Sequence, residues 1–267
     1  MIIRIIYLAF CALGILSTQV QAQIFIEQAK VSVNVSGGDH RNGSFLVHNT
    51  SSSPATVRVY WEDFKYKAPY NGTKDFLPAG TMPGSASQWV TFSPQVFTMP
   101  AFGQQKFDYS ITVPNQLDEG HYGVLFFERS ASGSLNGDAV NLVTRLGCLF
   151  FIEPSNKNKK AALQNINLKS KALTANFVNQ GNVILIAHTT YYIMQDGGLV
   201  SLRGDAGKLY VPPGVSAPLT ISLKKPLSAG HYTMVLNSDL DEGDVVLKEI
   251  GLAVDASGQL TILSSQD

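Results

Sequence analysis

Five histidines, His40, His48, His121, His188 and His231, are the side chains of this 267-residue chain best suited to ligate a metal or move a proton near neutral pH. None stands in the HExxH spacing that sets two imidazoles on one helix face. Thiol chemistry is equally sparse. Cys11 and Cys148 are the only cysteines, which excludes a Cys-rich zinc site. A serine nucleophile would need a GxSxG elbow and a phosphate a glycine-rich loop opening a helix, and neither motif occurs. Carboxylates gather at Asp118-Glu119 and at Asp239, Asp241, Glu242 and Asp244 around Gly243. Three hard oxygens near a glycine could hold Ca²⁺ through Asp239, Asp241 and Asp244. The group departs from the EF-hand pattern, however, and reads as a solvated hairpin turn between the last two strands. Nothing here assembles a catalytic constellation or asks for a cofactor. The expectation is a binding protein, not an enzyme.

The aromatic run Tyr60-Trp61-Glu62-Asp63-Phe64-Lys65-Tyr66 is richer, and it leads into a segment, 69–88, of Gly, Pro and Ser without strand periodicity. A stretch of that length either covers a sandwich edge or forms a contact site, and edge cover is the expected role.

The elements that must position these residues are strands. Residues 30–36 alternate apolar and polar side chains, as do 56–61, where Val57, Val59 and Trp61 share a face, and 106–113, where Phe107, Tyr109, Ile111 and Val113 do. Period-two alternation marks strands with one buried and one wet face. Turn clusters separate them at 36–39, 71–72 and 115–120, and no 3.6-residue period is sustained. The chain also resembles itself. Phe45-Leu46-Val47-His48-Asn49 is matched by Phe177-Val178-Asn179-Gln180-Gly181, and Thr98-Met99-Pro100-Ala101 by Tyr210-Val211-Pro212-Pro213. LDEGHYGVLFFE at 117–128 faces LSAGHYTMVLNS at 227–238. With the alternating strands 106–113 and 218–223, these are four features repeated in one order, and they predict two copies of one all-β unit.

The Gly-His-Tyr pair has a physical reading. In immunoglobulin-like sandwiches a tyrosine at the start of strand F returns its hydroxyl to the backbone of the preceding corner. Tyr122 and Tyr232 are expected in that role, with Trp61 as a core aromatic. His121 and His231 alternate away from the tyrosines and are expected on the solvent side. Val124 and Met234 stand where antibody domains carry cysteine.

Residues 1–22 run from basic Arg4 through an apolar core to a small-and-polar end at Ala22, the order of a cleaved secretory signal peptide. Its apolar core is short for a bilayer span, and no later segment is long and apolar enough to serve as one. Removing it takes one basic residue from a chain with 20 basic and 20 acidic side chains. Such a balance offers no attraction to nucleic acid or an acidic membrane surface. The expected layout is a signal peptide over 1–22, a first immunoglobulin-like domain over 23–154, a linker over 155–160, a second domain over 161–255 and a tail over 256–267. The expected destination is the periplasm or another extracytoplasmic space. Cys148, in an apolar run, reads as a small buried hydrophobe.

In the order of these features the chain resembles the periplasmic pilus-assembly chaperones of the PapD type. The most specific local likeness is Thr144-Arg145-Leu146-Gly147-Cys148-Leu149-Phe150-Phe151-Ile152-Glu153-Pro154, which looks like the last strand of the chaperone's first domain. That resemblance implies a cationic pair, Arg145 with Lys30, that anchors a subunit's C-terminal carboxylate between the domains. It further implies that Val140, Leu142 and Thr144 lie on a strand edge lent to an incomplete subunit by β-augmentation. Residues 89–94 and 120–128 are more similar to surface proteins of the WxL type, whose family role is binding peptidoglycan or host proteins. The C-terminal residues show neither the spanning helix nor the sorting signal of that family's anchored members. The two readings differ on one geometric point. A chaperone makes Arg145 and Lys30 converge in a cleft between the domains, whereas a wall-binding protein leaves them apart and makes an aromatic patch of 69–88.

Overall fold

A computed structural model of the chain describes residues 24–135, 138–169, 172–196, 198–223 and 225–266, without the side chains of 131–142 and 169. The expected signal peptide at 1–22 lies outside the described residues. Among the described residues every regular element is a strand.

The first unit holds β1 (Ile24–Ile26), β2 (Lys30–Val35), β3 (His40–Asn49), β4 (Ala55–Tyr66), β5 (Lys74–Pro78), β6 (Val90–Ser93), β7 (Val96–Met99), β8 (Gln104–Thr112), β9 (His121–Leu135) and β10 (Asp138–Pro154). One sheet runs β1-β3-β8-β6. The other runs β2-β10-β9-β4-β5, with β7 also on β4. Alternation along each strand sends Val57, Val59 and Trp61 of β4, Phe107 and Ile111 of β8, Leu125 and Phe127 of β9, and Cys148, Phe150 and Ile152 of β10 into one core. Trp61 is 8% exposed, its ring centroid 5.5 Å from that of Phe150, and its indole N–H donates to Asp63 at 3.1 Å. Gly123 makes room for it, since a Cβ there would lie 2.0 Å from the indole.

The second unit holds β11 (Ala161–Lys169), β12 (Ala172–Asn179), β13 (Leu185–Gln195), β14 (Val200–Val211), β15 (Ser216–Ser222), β16 (Gly230–Asp239), β17 (Val245–Val254) and β18 (Leu260–Gln266). Its sheets run β11-β12-β15 and β14-β13-β16-β17-β18 and enclose Phe177, Tyr191, Leu236 and Ile250. The duplication is visible in two buried asparagines. Asn49 donates to the carbonyls of Ser53 and Pro100, and Asn179 to those of Val183 and Val211. Each side-chain oxygen accepts the amide two residues on, from Ser51 and from Gly181. One amide thus ties the same corner to the same neighbouring segment in both copies.

Two expectations need correction. Residues 256–267 are not a tail, because β18 completes the second sheet against β17 through Gln266. The Asp255 carboxylate accepts the amides of Ser257 and Gln259, and this Asx turn reverses the chain at Gly258. Nor is 69–88 wholly irregular: β5 forms a hairpin with Glu62–Tyr66 of β4. The rest of the segment is anchored by the fully buried Asp63, which accepts from Met82 N–H at 2.9 Å and Ser85 Oγ at 2.6 Å. Ser85 then pairs beside Tyr122 at the start of β9, in keeping with edge cover.

Candidate functional site

The site is built on β10. On one side β9 pairs with it from Asp138 to Ile152. On the other, β2 runs parallel to it only from Leu149 to Pro154. The cause lies in β1, which belongs to the opposite sheet. The chain crosses over at 27–29, so β2 reaches β10 only at Lys30. From 138 to 148 the outer edge of β10 has no strand partner among the described residues. Beyond Glu128, β9 also leaves β4, and β9 and β10 continue as a two-stranded ribbon. Unpaired edges of this kind are templates for another strand.

The face above that edge is aromatic and cationic. From Leu146 to Ile152 the even-numbered β10 residues enter the core, while Val143, Arg145, Leu149 and Phe151 take the outer face. Arg145 lies with its guanidinium carbon 3.7 Å from the Phe126 ring centroid, and 5.5 and 5.9 Å from those of Tyr60 and Phe76. It donates to the Glu62 carboxylate on β4 at 2.7 Å. Its cross-strand neighbour, Glu128, is engaged elsewhere, accepting the Tyr60 hydroxyl at 2.7 Å with Arg58 at 3.7 Å. Burial, and then that hydrogen bond, push the Tyr60 phenol up to about 12.

Lys30 holds register with Leu149 and sets its ammonium 4.0 Å over the Phe151 ring. Arg145 and Lys30 therefore rest on rings of one aromatic cluster, on one face of one sheet. They do not touch. Four residues of strand separate their stations by roughly 13 Å, so they form a strip, not a clasp. Thr144 is half-buried, and Val140 and Leu142 lie on the ribbon with side chains outside the described residues.

The same cluster, Phe64, Tyr66, Tyr122, Val124, Phe126 and Phe151, receives Tyr70, Ile184 and Tyr210. Tyr210, from the second unit, stacks on Tyr66 at 5.1 Å, and its amide donates to the Tyr70 carbonyl at 2.8 Å. Here the tyrosine-corner expectation divides. Tyr232 behaves as expected, donating to the Ser228 carbonyl at 2.9 Å. Tyr122 does not. Its hydroxyl accepts the Ile184 amide of the second unit at 2.8 Å and approaches Glu153 at 3.4 Å. The tyrosine points out of its own core, so its hydroxyl, packed over Gly120, bonds to the neighbouring unit and not to the backbone of its own corner. His231 is exposed as expected, but His121 is half-buried, with its ring centroid 3.8 Å from that of Trp89. Burial lowers its pKa.

The linker is tied by charge. Lys157 bridges Glu153 at 3.4 Å and Glu242 at 2.8 Å, and Lys159 meets Glu242 at 2.9 Å. Lys159 also donates to the carbonyls of Leu240 and Asp241. Hydrogen bonds from the two ammonium groups hold Glu242 down to about 2. The turn weighed as a calcium loop thus takes its positive charge from lysine. Asp239 accepts the Asp241 amide, and no cluster of three potential metal ligands occurs among the described residues.

Sequence alone does not mark Glu62, Tyr60, Phe76 and Phe126 as site residues. The available signal was that β4 and β9 carry large apolar residues on both faces, which marks a sheet covered on both sides.

No protein-family model and no curated protein matches the chain. Among solved structures, the class 5 fimbriae chaperone CfaA is 14% identical with a TM-score of 0.51, the match covering 84% of this chain and 97% of that one. A chain from a chaperone–tip adhesin complex of CFA/I fimbriae biogenesis is 13% identical with a TM-score of 0.51, covering 85% and 97%. At this identity the likeness is one of fold: the chain has the two-domain, immunoglobulin-like sandwich architecture of fimbrial chaperones of the PapD type.

Proposed function

We propose that the chain is an extracytoplasmic chaperone of the PapD type, which holds a pilus or surface subunit by strand addition along β10. The observation that carries this reading is the edge at 138–148 that β2 leaves open. A subunit strand laid there parallel to β10 runs toward Lys30 and must end where β2 begins. Its C-terminal carboxylate then arrives within the Arg145–Lys30 strip, where a guanidinium fork and an ammonium can receive it. The wall-binding alternative asks for an aromatic patch on 69–88, and the packing of Tyr70 against the second unit weighs against it.

Site-specific photo-crosslinking tests the proposal. A photoreactive side chain at Val143, which is 56% exposed, is placed beside the open edge, with a control probe at the distant Leu263. Expressed in a host that exports fimbrial subunits, the Val143 probe should capture a β-sandwich subunit through one of its strands, and Arg145→Ala should reduce the yield. Equal capture from Leu263, or a yield indifferent to Arg145→Ala, would refute it.

A further inference from the structure

The carboxylate already bound to Arg145 has a consequence for how a ligand enters. Phe126 lies against the guanidinium at 3.7 Å, with Tyr60 and Phe76 alongside, so three rings orient it without help from an acid. Glu62 adds charge neutralisation through a single hydrogen bond, and its carboxylate has no other hydrogen-bond or ion-pair partner among the described residues. The cross-strand acid, Glu128, is committed to Tyr60 and Arg58. The Arg145 and Glu62 side chains are 35% and 22% exposed, so water and an incoming group can reach both. We infer that Glu62 is a built-in placeholder: it occupies Arg145 in the unliganded protein and must yield it to the terminal carboxylate of a bound strand. This rests on the proposed carboxylate anchoring and adds to it an internal competitor that sets affinity. Two carboxylates beside one guanidinium repel each other, so exchange, not addition, is the expected outcome. Once displaced, Glu62 faces solvent, which keeps the cost of exchange small and binding reversible.

The test uses the full mature chain and two synthetic strand peptides of alternating valine and threonine, one ending in a free carboxylate and one in an amide, with binding read by fluorescence anisotropy. Glu62→Gln should tighten the free-acid peptide by up to about fivefold, the most that a partly exposed ion pair withholds, and leave the amide peptide unchanged. Glu62→Ala should give the same sign, and thermal melts verify that both variants fold. If either variant that folds binds the free acid unchanged or more weakly, Glu62 is no competitor and the placeholder is overturned. The anchoring role then survives provided Arg145→Ala still weakens the acid selectively over the amide. If Arg145→Ala fails to distinguish the two peptides, or the unaltered chain binds neither, the anchoring and the placeholder fall together.

Discussion

Replacing Tyr122 by phenylalanine isolates the bond that joins the two units. The ring, and its packing against Phe64 and Phe151, is retained. What disappears is one hydroxyl that accepts the Ile184 amide at 2.8 Å and lies 3.4 Å from Glu153. The second contact is too long to contribute much, and Glu153 keeps Lys157. The first matters, because Ile184 N–H sits in a partly buried seam and loses its acceptor. Stranding a buried donor costs about 1–3 kcal/mol, and partial water access places this one near 1–2 kcal/mol. Tyr232→Phe is the matched control. It removes a hydroxyl of similar bond length that stays within its own unit, donating to Ser228. Amide hydrogen exchange separates the two. In Tyr122→Phe the Ile184 amide should exchange roughly five- to thirtyfold faster, while in Tyr232→Phe it should not change. Unaltered Ile184 protection in a folded Tyr122→Phe protein would refute the latch, whatever happened to global stability.

Two further outcomes are expected. Asp63→Ala strands the Trp61 and Met82 N–H groups around a fully buried site, so it should cost about 3 kcal/mol in urea unfolding and make residues 79–88 more open to limited proteolysis than in the parent chain. Acidification should destabilise the protein in two steps. Below about pH 6.5, burial keeps His121 from taking the proton that the unfolded chain accepts, so stability falls there and His121→Gln should flatten that step. Below about pH 4.5 the unfolded Glu242 protonates, whereas the folded one holds out to about 2. Its ion pairs are therefore lost across that window, a salt-sensitive step that Glu242→Gln should remove.

What sequence could show was whatever depends on local period. The alternating strands, the repeated unit and the breaks at Pro154 and Ala161 follow from patterns a few residues long. The asparagines Asn49 and Asn179 appeared within the repeat, yet their role as corner ties needs the carbonyls of Pro100 and Val211, far away in sequence. Glu62 was invisible for the same reason: its partner lies across β9 on the second strand over. The strand β18, where a tail is expected, escapes the sequence reading although its signal is local. Asp255-Ala256-Ser257-Gly258 is a turn, and Leu260 and Ile262 after it pack against the second core. The Asp239–Asp244 group reads from sequence as a solvated turn with calcium weighed against it, because sequence counts acids and cannot see Lys157 and Lys159 arriving from the linker.

The divergence of the two tyrosines is the point where the repeat acquires a function beyond folding. In the second unit Tyr232, Met234 and Leu236 face the core. In the first, the same Gly-His-Tyr run is one residue out of phase: Leu125 and Phe127 face inward, and Tyr122, Val124 and Phe126 face outward. A one-residue slip moves every side chain of a strand to the other face. It is tolerated here because Gly123 takes the inward position after the tyrosine and Trp61 fills the space, whereas Thr233 holds the matching place in the second unit. The slip makes the outer face of β9 aromatic. That face cannot be left to water, so the second unit covers it near Tyr122, and Arg145 lies over it at Phe126. The inter-domain latch and the cationic strip beside the open edge are thus two consequences of a single change of phase.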